Sequence, residues 1–290
     1  MSSIPHNVEN GNEISNSVSN FMKEFQIGQL LFKCNPTKVK GIPVIEVFRY
    51  LFCLVFSDRS IYMQKKTGVF DGSFCKNTVY RFLNNPKINW LRFTTLLSAR
   101  IINVFMKPLT DENRRDAFII DDSLFDRSRS RKTELLAKVF DHCSMKFKCG
   151  YRMLTLGWFD GNFFVPVNHC LLSAADDKNL LCEATNFDGR SLAGKRRKQS
   201  RRKATEVMID LVKTAQLSDM SAKYVLFDSW FSSPKTITAL KTDCGLDTSQ
   251  WLRKAAKSNT VIRMADTTSK KSTDSAKNAE DALGICSPLI

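Results

Sequence analysis

Apolar residues along this chain recur with two different periods, and the change falls near residue 115. From Val18 to about Pro108 the spacing is helical. Phe21, Phe25 and Ile27-Leu30-Leu31 form a stripe suited to burial on one helix face. Ile45 to Phe56 is apolar almost throughout and predicts an internal helix. Ser73 to Leu83 is amphipathic, and Trp90 to Met106 predicts one more helix, ended by Pro108. Thr110 to Asp116 is charged and marks a junction. Beyond it come short apolar runs of strand length. Phe118 to Asp122 predicts the first strand, and Glu134 to Phe140 a short helix or turn. Tyr151 to Phe159 and Phe163 to Leu172 predict two more strands, joined at Asp160-Gly161-Asn162 as a hairpin. Asp176 to Gly194 is loop-like, and a helical pattern runs from Lys195 to about Ala215. Tyr224 to Asp228 predicts another strand, and Ser233-Pro234 opens a helix.

The order after the junction is strand, hairpin of two strands, helix, strand, helix. That is the order of the ribonuclease-H-like fold, in which the first and fourth strands lie side by side and parallel, joined by a crossover. The predicted class is therefore α/β: an N-terminal α-helical domain, then a ribonuclease-H-like mixed sheet flanked by helices, incomplete at the C-terminus. Residues 1–18 are rich in Ser, Asn and Glu and predict a disordered tail. A helical DNA-binding domain is expected over 19–110 and a partial catalytic domain over 115–247. Residues 248–290 lose periodicity, fill with Ser, Thr, Lys and Ala, and predict an irregular tail.

Two of the strands end in aspartate: Ile119-Ile120-Asp121-Asp122 and Leu226-Phe227-Asp228. A carboxylate at the end of a buried strand sits on the sheet's rim, on a rigid base. An isolated case reads as a turn starter or helix cap. Two, on strands that the topology makes neighbours, suit a hard divalent cation bound through oxygen. Mg²⁺ (or Mn²⁺) held there can stabilise both the attacking and the leaving oxygen of a phosphodiester. Asp121, Asp122 and Asp228 are the candidate metal ligands, with Asp121 and Asp228 the candidate catalytic pair.

The charge strengthens that chemistry. Lys plus Arg number 44 against 29 Asp plus Glu, a formal +15, which favours a polyanionic partner, double-stranded DNA first. Arg127, Arg129, Arg131 and Lys132 crowd a loop with hydroxyls, suited to phosphate contacts. Lys195 to Lys203 holds seven basic residues in nine; Lys195, Arg196, Arg197, Lys198, Arg201 and Arg202 are the DNA candidates there. Lys76 and Arg81 lie on the Ser73–Leu83 helix. That helix reads either as the second helix of a helix-turn-helix or as an ordinary surface helix of a bundle. Hydrophobic residues make up 43%, enough for a real core. Nine scattered cysteines without a C-x-x-C pair argue against a disulfide framework and against a zinc site. The polar start and the short apolar runs predict no signal peptide and no membrane span, hence a cytoplasmic protein.

Phe118-Ile119-Ile120-Asp121-Asp122-Ser123-Leu124-Phe125-Asp126-Arg127, Gly150-Tyr151-Arg152-Met153-Leu154-Thr155-Leu156-Gly157-Trp158 and Tyr224-Val225-Leu226-Phe227-Asp228-Ser229-Trp230-Phe231 resemble the DDE transposases of bacterial insertion sequences, in the insertion-sequence-four group. The resemblance runs from about residue 20 to about residue 247. It implies Mg²⁺-dependent nicking at terminal inverted repeats, then strand transfer by the freed 3′-hydroxyl, with a homo-oligomer possible. The family's first catalytic Asp commonly precedes a hydroxyl residue by two, which selects Asp121 over Asp122; its second matches Asp228.

The family's third carboxylate, a Glu within a pattern of Tyr, Arg, Glu and Lys, has no counterpart. Glu280 is the only glutamate after Asp228, and no Tyr follows Tyr224. Written as degenerate codons from Lys277 and read from the third base, the tail permits Lys-Arg-Arg-Gly-Arg-Ser-Arg-Tyr-Leu-Leu-Ser, close to the basic run and strand expected next. A frameshift near codons 247–253 would explain this. The expectation is a transposase that lacks its third carboxylate and cuts slowly or not at all. A non-catalytic DNA-binding protein that occupies element ends is the alternative, and an RNA-processing relative of the same fold a third.

Overall fold

The computed structural model describes residues 8–36, 40–56, 60–66, 75–109, 116–185 and 188–249. Helices α1 (Val8–Glu24), α2 (Ile27–Phe32), α3 (Val44–Phe56), α4 (Ile61–Lys66), α5 (Lys76–Leu83) and α6 (Trp90–Arg100) come first. The chain then passes through β1 (Ala117–Asp126), β2 (Ala137–Asp141), β3 (Lys146–Phe159), β4 (Phe164–Leu172), α7 (Leu192–Ser200), α8 (Ala204–Gln216), β5 (Tyr224–Phe227), α9 (Pro234–Cys244) and β6 (Asp247–Ser249). The predicted fold class holds: a mixed, six-stranded ribonuclease-H-like sheet with flanking helices.

The sheet order is β2-β3-β1-β5-β6, with β4 also on β3. β3 is long enough to serve two partners on one side, β2 along its first residues and β4 along the rest. β1 lies antiparallel to β3 and parallel to β5. The β3–β4 turn forms as predicted. Asp160 accepts the backbone N–H groups of Asn162 (2.8 Å) and Phe163 (2.7 Å), and Gly161 takes φ 102°. Ser233 accepts from the Thr236 N–H to start α9, Pro234 occupies its first turn, and Gly245 closes it at φ 66°.

One face of the sheet is sealed. Phe118, Ile120, Leu154, Leu156 and Trp158 alternate along β1 and β3 toward it. α8 covers them with Val207, Met208, Leu211, Val212 and Ala215, a 3.6-period stripe. α6 adds Ala99 and is tied down where Ser98 donates to the Pro166 carbonyl at 2.6 Å. It runs on as a π-helical segment, Ile101–Met106, whose Ile102 is also in this core. A separate cluster of α2 and α6 residues, Ile27, Leu30, Leu31 and Phe93, holds the N-terminal helices together.

Five expectations need correction. The first strand does not stop at Asp122: β1 runs on to Asp126, paired with β3 throughout, so Asp121 lies mid-strand and only its pairing with β5 has ended before it. The stretch read as helix or turn, Glu134 to Phe140, contains β2. Its buried residues alternate, Ala137, Val139 and Asp141, and it pairs with the early half of β3, which starts at Lys146 rather than Tyr151. The stretch read as a disordered tail is helical from Val8, because Phe21 and Phe25 anchor α1 through ring contacts with Phe52 and Phe105. α3 is not internal: its neighbours cover one stripe, while Val55 and Phe56 are 75% and 54% exposed. The helix read as continuous from Lys195 breaks at 201–203 into α7 and α8. The irregular tail expected from 248 lies outside the described residues except for Thr248 and Ser249, which form part of β6.

Candidate active site

Parallel pairing of β1 with β5 sets Ile119 beside Leu226 and Ile120 beside Phe227. One step further along both strands stand Asp121 and Asp228. Side chains alternate between faces, so Asp121 follows Ile119 and Asp228 follows Leu226 onto the same face. Neighbouring strands run about 4.8 Å apart, which is within reach of a shared ion. Both aspartates are exposed. Asp121 accepts from the Ser123 hydroxyl at 3.2 Å and Asp228 from the Ser229 hydroxyl at 3.0 Å. Asp228 stands at the N-cap position of the turn Ser229–Phe231, yet its side chain accepts no capping N–H. Neither carboxylate enters an ion pair among the described residues. Two uncommitted carboxylates on one rim fit a hard cation that fills its other positions with water and phosphate oxygens.

Asp122 is placed differently. It alternates to the sealed face, where the Arg152 guanidinium binds its Oδ2 through both Nε (2.7 Å) and Nη2. Its Oδ1 is buried and unpaired. The register separates it from the Asp121–Asp228 pair. Among the described residues no three His, Cys, Asp or Glu side chains gather to hold a metal ion.

The row across the sheet is wider than the pair. Thr155 faces Asp121 from β3, and His169 faces Thr155 from β4. Surrounding protein and the Arg196 guanidinium hold the His169 ring below its ordinary pKa. No local signal marks Thr155 or His169; only strand register brings them into line.

The basic residues divide into two sets. Arg196 donates to the His169 carbonyl and to Gln199, Arg197 binds Glu134 at 2.5 Å, and Arg201 binds Asp177 at 2.6 Å. Arg202 pairs with Glu206 and Asp210. Those guanidiniums are largely occupied within the protein. Lys195 and Lys198 on α7, Arg129, Arg131 and Lys132 after β1, and Lys76 and Arg81 on α5 are exposed. Arg127 is exposed too, with its guanidinium over the Phe125 ring at 4.4 Å.

A cleft of about 1020 Å³ runs between the α5–α6 junction and α7, lined among others by Trp90, Tyr151, Lys195 and Lys198. It reaches Phe125, which shares the Asp121 face four residues further along β1, roughly 13 Å away at strand rise. No helix among the described residues is long and apolar enough to cross a membrane.

The comparison with known families falls on this same half of the chain. The family model described as DDE superfamily endonuclease matches residues 70–257, well over half of the 290. No curated protein matches the sequence. An aspartate within β1 and another just past the end of β5, set side by side by a ribonuclease-H-like sheet inside that match, place this chain in the DDE superfamily of endonucleases.

Proposed function

We propose that this chain is a transposase of the insertion-sequence-four group, built to nick DNA at terminal inverted repeats and to join the freed 3′-hydroxyl to a target. The observation that carries the reading is the β1–β5 register, which sets Asp121 and Asp228 side by side on one exposed rim. Asp121 and Asp228 would hold Mg²⁺ or Mn²⁺, and the ion would supply positive charge for the attacking and leaving oxygens. Duplex DNA follows the cleft, its phosphates met by Arg127, Arg129, Arg131, Lys132, Lys195 and Lys198. Lys76 and Arg81 extend that track on α5. Self-association belongs to the same reading and is measured by light scattering with and without DNA.

On this reading the chain as it stands is defective for cutting, because no third carboxylate joins Asp121 and Asp228 among the described residues. The family match ends at residue 257, close to the proposed shift of reading frame at codons 247–253. The test has two arms. The gene is sequenced beyond codon 247, and the protein is assayed for Mg²⁺-dependent nicking of inverted-repeat DNA, as given and with the frame restored. Nicking by the restored protein, lost in Asp228→Ala, is the expected result. A shifted frame that soon meets a stop, with no Glu motif, removes the frameshift; a restored protein indifferent to Asp228→Ala removes the transposase reading.

A second reading has an observation of its own. The absence of a three-ligand cluster among the described residues favours a non-catalytic protein that occupies element ends. Salt-sensitive binding to inverted-repeat DNA without any metal-dependent cleavage is its signature.

A further inference from the structure

The turn between β2 and β3 and the residues just after Asp228 bring four rings into one line. Phe140 and Phe147 pair across the two strands with centroids 5.2 Å apart. His142 stands edge-on to Phe140 at 5.1 Å, and Trp230 lies 5.3 Å from His142. The ends of the line are at the surface: Phe147 is 67% exposed and Trp230 59%. Among the described residues, none of the four rings enters a hydrophobic core cluster. Single exposed apolar side chains are ordinary, but a contiguous exposed line marks a contact surface.

The line is also held in place. Asp141, between Phe140 and His142, accepts from the Cys143 N–H (3.0 Å) and the Ser144 hydroxyl (2.7 Å) and binds Lys148 at 2.8 Å. Those bonds keep its carboxyl well below the usual range and fix the turn. Exposed Lys146 flanks Phe147, and Trp230 follows Asp228 by two residues. Cations to track a backbone and rigid rings to receive base faces are the two parts of a surface for unpaired nucleic acid. Duplex DNA keeps its base faces stacked on one another and has none to offer.

We propose that the Phe147–Phe140–His142–Trp230 line is a stacking platform for the bases of an unpaired DNA strand. Its place beside a scissile phosphate rests on the nuclease reading above; the stacking does not. The strand's backbone passes the Asp121–Asp228 rim while one or more of its bases lie against the exposed rings.

The probe is an oligothymidylate of about 12 nucleotides with a central 2-aminopurine, compared with a blunt duplex of the same length. The full chain is titrated without divalent metal, read by anisotropy and by 2-aminopurine quenching. The expected result is quenching by the native protein. Trp230→Ala with Phe147→Ala then weakens single-strand binding roughly tenfold or more, and duplex binding stays unchanged. Trp230→Phe retains most of the affinity, whereas Trp230→Leu, which keeps bulk but not the ring, loses it. The leucine variant also decides the matter if the double variant fails to fold. Native single-strand affinity and quenching in Trp230→Leu overturn the platform, as does an equal loss on both probes. Failure of the nuclease reading shows elsewhere, as frame-restored protein that nicks no DNA while the quenching stands.

Discussion

On one face of the sheet Phe118, Leu154, Leu156 and Trp158 are fully buried under α6 and α8. On the other, Ile119, Thr155 and Leu226 stay half-exposed, and the row they belong to ends in the two aspartates. Only a small cluster, Leu135 and Leu136 with Tyr151, covers one end of that second face among the described residues. Both faces come from the same strands, one residue out of step. Alternation thus lets four consecutive residues, Ile119 to Asp122, divide stability and chemistry between them. Burial needs apolar side chains sealed from water, whereas a cation site needs carboxylates that nothing else has claimed. Asp122 shows what happens on the sealed side: a carboxylate there is neutralised by Arg152.

The comparison breaks if the two faces respond alike to substitution. Trp158→Ala should cost about 3–5 kcal/mol, because it empties a fully buried site. Ile119→Ala on the other face should cost about 1 kcal/mol, read by urea denaturation of both variants. Equal losses would mean that the second face is covered too.

Gly150 and Gly157 sharpen the point within β3. A Cβ at Gly150 would meet the Phe125 carbonyl oxygen at 2.3 Å, and that backbone belongs to the paired strand. Gly150→Ala should therefore cost about 2 kcal/mol, in the range for overpacking. The three atoms nearest a Cβ at Gly157 all belong to the ring of Phe164, which is 51% exposed and has room to swing away. Gly157→Ala should lower the melting temperature much less, and a larger drop than in Gly150→Ala would place a lid over that ring.

For the rim itself, Asp228→Asn should weaken Mn²⁺ binding roughly tenfold or more, since it removes one of only two charged ligands. Stability should change by less than about 0.5 kcal/mol, as expected for an exposed group whose side-chain partner is the hydroxyl of the adjacent Ser229. Electron paramagnetic resonance measures the first and thermal unfolding the second. A destabilised Asp228→Asn with unchanged Mn²⁺ affinity would make the aspartate structural.

The smallest effect lies at the edge of the cleft. The Arg197 guanidinium beside Glu134, helped by Thr185, holds that carboxyl below its ordinary pKa. A lowered pKa contributes stability above the unfolded value of 4.5, lost as pH falls through the folded one. The melting temperature of the native chain should thus fall more steeply below pH 4.5 than that of Glu134→Gln. Parallel curves would show the pair to be screened by solvent.

β5 was legible because β-formers ran up to an abrupt aspartate; β1 was legible only in its apolar first half, since its run from Asp121 to Asp126 is held by pairing with β3. The β3–β4 turn was legible because Asp160-Gly161-Asn162 carries its own hydrogen-bonding logic. β2 was not, because its buried positions are Ala137, Val139 and Asp141, of which only one has strong strand preference. Its strandedness comes from pairing with Lys146–Gly150 across the turn His142-Cys143-Ser144-Met145, which carries no Gly, Pro or Asn to announce a hairpin. The division of the arginines in and after α7 was hidden because some of their partners lie far away along the chain. Arg202–Glu206 is an i,i+4 pair that a helix pattern announces, but Arg197–Glu134 spans 63 residues. The placement of Asp122 likewise needed the register with Arg152.

β6 gives the molecule a direction of travel. It runs parallel to β5, with Asp247 level with Tyr224 and Ser249 level with Leu226. A polypeptide grafted after Ser249 therefore sets out in the direction that carries β5 to Asp228. A designer who wishes to supply an extra acidic ligand can begin at that residue and needs a short leader, with no return across the sheet.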